Sequence, residues 1–166
     1  VMLITAWYFS RPRRVAQIWK IPLVSAYEDI VGSSAERGRP IFINIKRGRE
    51  VGGSLASNQA FMETVKYICR SAGNAGARVV MFTNDYQAFF QSKDYARQGY
   101  LESRRPELYA DADYLFIAGG EWESGGKELY MLSEIRNQKP GGLISLGNFF
   151  SEVINTSEVA NQEGAL

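Results

Sequence analysis

The side chains able to do chemistry are limited in kind. The 166 residues include no histidine and one cysteine, Cys69. Without histidine the chain cannot itself build a Ser-His-Asp triad, a Cys-His pair, a histidine metal site or a histidine proton relay. One cysteine leaves no internal disulfide and no cysteine zinc site. Chemistry therefore falls to carboxylates, amides, hydroxyls, Lys, Arg and backbone N–H groups. Such groups gather in four loops, at about 46–54, 83–85, 119–127 and 147–152, each directly behind a short apolar run.

In the first loop, Gly48 and Gly53 have the glycine spacing of a Walker phosphate loop. Ser54 stands where that loop needs lysine, and Leu55 where it needs a metal-binding hydroxyl. Gly120 and Gly125 repeat the spacing, with Lys127 one residue late. No G-x-G-x-x-G follows a strand-like run, so a nucleotide triphosphatase is disfavoured. What these residues can do is hold a small anion. Arg47 and Arg49 bring charge, the Gly52-Gly53-Ser54 backbone brings N–H donors, and Asn84 and Asn148 stand as helix caps. Asp85, Glu121 and Ser151 complete the candidate ligand-binding set. The competing reading is solvated arginines and glycines that only turn the chain.

Glu121, Glu123 and Glu152 are the carboxylates that could share a divalent cation or act as acid and base. In an enzyme, Asp85, Glu121 and Glu152 would be the acid or base, with Ser54, Asn84 and Asn148 as positioning groups. The competing reading is solvated loop acids, with Glu152 complementing a helix dipole. No catalytic residues, metal ligands or cofactor are assigned. Cys69 falls on an apolar helical face and reads as inert core. Phe89, Phe90, Tyr95 and Tyr100 read as core packing, with a partner face as the alternative.

The elements that must position these loops follow from periodicity. Residues 41–46, 78–83, 114–118 and 143–146 are short apolar runs that read as strands. Between them lie helical patterns over 55–72, 84–103 and 126–138, the last through Leu129, Leu132 and Ile135. A further helix is expected over about 149–162. Ser25-Ala26-Tyr27-Glu28 is a capping box that predicts a helix from Ser25 to near Gly38. Asn84, with Gln87 three positions on, predicts the cap of the helix after the second strand. Gly164-Ala165-Leu166 reads as the start of a fifth strand. Alternating strands and helices imply βαβ units. The fold class is α/β, a Rossmann-like open parallel sheet of four to five strands with helices on both faces. Ligands bind such sheets outside the carboxyl ends of the strands, which is where the four loops fall.

Composition agrees with one folded domain: 45% hydrophobic, 22% charged, 13% aromatic. Nineteen basic against 18 acidic residues give a net charge of +1. That balance makes no general case for nucleic acid as a partner.

Charge is uneven at the N-terminus. Val1 to Phe9 carries no charge, Arg11, Arg13 and Arg14 follow, and the first acidic residue is Glu28. Nine residues cannot span a bilayer, but Trp7, Tyr8 and the arginines match the cytoplasmic end of a transmembrane helix. The alternative is a buried first strand with a solvated basic run. The expected organisation is residues 1–10 as the end of a transmembrane helix, 11–23 as a basic membrane-proximal connector, and 24–166 as a C-terminally truncated α/β domain.

Several stretches resemble a known family. They are Ile21-Pro22 leading into Ala26-Tyr27-Glu28-Asp29-Ile30-Val31-Gly32, and Glu36-Arg37-Gly38-Arg39-Pro40. Gln98 to Pro106 with Tyr109, and Gly147-Asn148-Phe149-Phe150-Ser151-Glu152, continue the pattern. Over about 20–166 the chain resembles an uncharacterised family of bacterial and archaeal membrane proteins, in which a soluble domain lies between transmembrane segments. The resemblance assigns no activity and no residue role. It implies further chain after Leu166, a fifth strand and then another membrane segment.

The leading functional expectation is a membrane-anchored, non-enzymatic scaffold. It would be a homo-oligomer or a subunit of a larger membrane complex, with its soluble domain on the cytoplasmic side. The alternative is a sensory domain binding an anionic metabolite or nucleotide at the strand ends. A carboxylate-based enzyme is third.

Overall fold

The computed structural model describes residues 22–46, 55–109, 114–117, 124–147 and 152–166. The expected transmembrane end and most of the connector lie outside these residues. Helix α1 (Pro22–Arg37) leads into strand β1 (Ile41–Lys46), followed by α2 (Leu55–Ala75) and β2 (Val79–Thr83). Next come α3 (Tyr86–Glu102), a 3-10 turn (Pro106–Leu108) and β3 (Tyr114–Phe116). Helix α4 (Ser124–Gln138), β4 (Gly142–Gly147) and α5 (Glu152–Gln162) complete the order.

All strand pairs are parallel, in the order β3-β2-β1-β4. The chain steps outward from β1 to β2 to β3, then returns to place β4 on the other side of β1. Right-handed crossovers then require α2 and α3 on one face and α4 on the other. The core divides accordingly. Ile41, Ile43 and Ile45 pack with Val31 of α1, Val65 and Ile68 of α2 and Ala96 of α3. Phe42, Val80 and Phe82 pack with Met131 and Ile135 of α4 and Ala160 of α5. Strand β1 is central and covered on both faces, which is why its sequence Ile-Phe-Ile-Asn-Ile-Lys is apolar without alternation.

Helices α2 and α3 approach closely at Gly99. A Cβ there would lie 2.5 Å from the Lys66 carbonyl oxygen and 3.0 Å from the Arg70 nitrogen. Lys66 and Arg70 also pair with Glu102 at 3.1 and 3.5 Å.

Three local expectations are corrected. Helix α1 starts at Pro22, so Ser25 lies inside it and the capping box does not mark its start. Proline is tolerated in a first turn because its missing N–H has no intrahelical acceptor there. The cap of α3 is Asp85 and not Asn84: Asp85 Oδ1 accepts from the Ala88 N–H at 2.7 Å. Leu129 is 70% exposed, because the buried stripe of α4 runs through Lys127, Met131 and Ile135. Helix α2 buries Met62, Val65, Ile68, Cys69 and Ala72, which puts Cys69 in the core as its apolar face predicts.

Leu166 sits at the free edge of β4. Its N–H donates to the Gly141 carbonyl and its carbonyl accepts from the Leu143 N–H, both at 3.0 Å. Those are the two bonds of one parallel rung. Among the described residues, no helix is long and apolar enough to cross a membrane.

Candidate functional site

The strand order contains one reversal, between β1 and β4. The chain leaves β1 for α2 on one face, while α5, which follows β4, packs on the other. In an open α/β sheet that divergence opens a crevice at the carboxyl ends of the two strands. Its floor is the last rung, Lys46 opposite Gly147. Gly147 has φ +133, and a Cβ there would run into the Lys46 carbonyl, so only glycine fits this close approach.

Below that rung lies an unusual pair. Asn44, in the middle of β1, is 2% exposed, and Lys127, in the first turns of α4, is 4% exposed. Lys127 Nζ donates to Asn44 Oδ1 at 2.9 Å. Asn44 shares a strand face with Phe42, so it points toward α4. Lys127 reaches it because it occupies the inward position one turn before Met131 and two before Ile135. An amine this buried needs polar partners within the protein, and Asn44 is one of them. Helices α2, α3, α4 and α5 all begin at this end of the sheet, so their dipoles add positive potential there.

The turn after β2 is built differently. Thr83 Oγ1 accepts from the Asp85 N–H at 3.2 Å, and the Asp85 carboxylate caps its own helix. Asn84, between them, is 8% exposed. Asp85 is thus committed to a structural bond. Of the remaining candidates, Arg47, Arg49, Gly52, Gly53, Ser54, Glu121, Asn148 and Ser151 lie outside the described residues, as does Glu123. Glu152 opens α5. Among the described residues, no three carboxylates or thiols come together in a way that could hold a metal ion.

Asn44 and Lys127 were absent from the sequence-based site. The signal was there: one amide inside an otherwise apolar run, and one lysine in register with Met131 and Ile135. Cys69 is fully buried, and burial pushes its thiol well above the ordinary range, which suits inert core.

A pocket at the opposite end of the sheet is a poorer candidate. It is lined by Ser34, Gly38, Arg39, Gly76 and Arg78 among others. Arg39 donates to the Glu163 carbonyl at 3.3 Å and Arg78 donates to Gln138 Oε1 at 2.5 Å, so both guanidiniums bond within the domain. Ser34 Oγ, buried without a partner, lies close against Gly141.

Fold and site together define a parallel α/β domain of the Rossmann strand order, with a polar pair buried beneath its switch point. Within that class, the chain belongs to the family described as Domain of unknown function (DUF6754), whose model matches residues 1–166. No curated protein and no solved structure matches the chain.

Proposed function

We propose that this chain is a non-catalytic binding domain whose ligand, an anionic metabolite or nucleotide, seats over the carboxyl ends of β1 and β4. The observation that carries this reading is the Lys127–Asn44 pair beneath the switch point. Four helix N-termini face the same space, and the loops leaving Lys46 and Gly147 contain Arg47, Arg49, Gly52, Gly53, Ser54, Asn148 and Ser151. The test is thermal unfolding with a panel of nucleotides, sugar phosphates and inorganic phosphate. A ligand should raise the melting temperature, and Arg47→Ala with Arg49→Ala should abolish that rise without moving the unliganded transition. No rise with any anion of the panel would defeat the reading.

A second reading concerns where the domain works. We infer a membrane-anchored bacterial or archaeal protein whose domain lies on the cytoplasmic side and assembles as a scaffold. Its support is the uncharged run Val1–Phe9 followed by Arg11, Arg13 and Arg14. A soluble monomer that ignores lipid and detergent would defeat it.

A further inference from the structure

Helix α3 buries one face against the domain, through Ala88, Ser92, Ala96 and Gly99. Its opposite face is exposed. Phe90 is 63% exposed and Leu101 54%. Singly, such residues need no explanation. Their setting does. Between them stand Asp94 and Arg97, both exposed. Positions 90, 94, 97 and 101 are separated by four, three and four residues. That is the spacing of a coiled-coil seam, and it sets the four side chains on one stripe. The Phe90 ring also rests against the Phe89 ring, with centroids 5.4 Å apart, which limits its freedom before any partner arrives.

The stripe is its own complement. Consider a second copy turned about a two-fold axis level with the midpoint of Tyr95 and Ala96. Position 90 then faces 101, and 94 faces 97, twice over. Phenylalanine meets leucine, and aspartate meets arginine. This is the self-complementary contact that a two-fold dimer requires. A parallel pair would instead set Asp94 against Asp94 and Arg97 against Arg97, so charge selects the antiparallel arrangement. The other charges of the helix are engaged within the domain. Lys93 lies over the Phe89 and Tyr114 rings, and Glu102 pairs with Lys66 and Arg70. Asp94 and Arg97 have no hydrogen-bond or ion-pair partner among the described residues.

We propose that the exposed stripe of α3 is a docking surface for α3 of a second copy of this chain, packed antiparallel. The proposal rests on the assembly inferred above and gives it a surface, but it needs neither a membrane nor a ligand. Four layers of one helix pair fall short of the ~1,200 Å² of a standard stable interface, so the dimer is weak and depends on concentration.

The test is sedimentation velocity of the 166-residue chain over a range of concentrations. The unaltered chain should shift toward a dimer as concentration rises. Phe90→Gln with Leu101→Gln should raise the dissociation constant at least ~10-fold. Asp94→Arg alone should also weaken the dimer, because it sets arginine against arginine. Asp94→Arg with Arg97→Asp should restore it, because the seam is again its own complement. All four positions are exposed, so circular dichroism should show every variant folded. Chains carrying Phe90→Cys should cross-link to chains carrying Leu101→Cys when mixed, and neither should cross-link alone; Cys69 is buried and does not compete. Cross-linking of Phe90→Cys chains to one another would overturn the antiparallel seam. An oligomer that none of these variants weakens would overturn the seam while leaving assembly through another surface. A chain that stays monomeric at every concentration would overturn both.

Discussion

Lys127 is held inside the domain by contacts that include the amide oxygen of Asn44. Removing either partner leaves the other buried with fewer bonds, which costs about 1–3 kcal/mol for a polar group and more for a charge. Lys127→Met and Asn44→Leu are each expected to destabilise the domain by about 2 kcal/mol or more in urea unfolding. The double variant should cost less than the sum, with a coupling energy of about 1–3 kcal/mol. Additive costs would mean that the 2.9 Å contact carries no energy of its own. The pair was only half legible in the sequence. Ile-Phe-Ile-Asn-Ile-Lys marks Asn44 as an intruder in a buried strand, but the partner stands 83 positions away. Only the crossover of α4 to the second face of the sheet brings the two together. Asn84 and Asp85 fail in a smaller way: both residue types cap helices, and the Thr83 hydroxyl, by taking the Asp85 N–H, fixes the turn one residue later.

Elements were more legible than their ends. Strand β1 runs over the predicted 41–46, because an apolar run between Pro40 and the glycines after it admits few alternatives. Helix α4 was read through Leu129, Leu132 and Ile135. Hydrophobicity alone pointed to a stripe that the structure rotates toward Lys127. No rule that places apolar side chains inside would have chosen a lysine there. Packing between α2 and α3 is set by a residue with no side chain. Gly99→Ala should cost about 1–3 kcal/mol, because the new methyl meets the Lys66 backbone and the two helices must part. Glu102→Gln, which removes the surface pairs with Lys66 and Arg70, should cost less. Denaturant unfolding of the two variants ranks the effects, and the reverse order would show that charge holds this interface.

At the scale of the molecule, Arg105 lowers the Glu107 carboxyl, while the shifted groups that titrate in alkali all lean the other way. Burial raises the Cys69 thiol and the Tyr27 phenol, a hydrogen bond to Glu28 raises Tyr67, and one to Glu102 raises Lys66. Each keeps its proton in the folded chain at a pH where the unfolded chain has released it. Stability from these groups is complete below their ordinary values of 9.0, 10.0 and 10.5, and is lost as pH rises through them toward the folded values. Without histidine, no side chain with an ordinary pKa titrates near neutrality. Melting temperature should therefore be nearly flat from about pH 6 to 8 and fall from about pH 9 upward. Cys69→Ala should shallow the first part of that fall, and an unchanged slope would remove the thiol from the account. The strand order also sets a sequence of assembly. Ile41 meets Val79 across a single helix, but meets Gly142 only after a stretch on the order of 100 residues has been drawn together. Strand β4, with α5 and the Leu166 rung behind it, should thus be recruited late in folding. It should also be the first released in partial opening, with its amides exchanging with solvent deuterium ahead of those joining β1 to β2. The crevice between β1 and β4 would then lie on the seam between an early-folding half and a late one, and its shape would depend on a pairing made late.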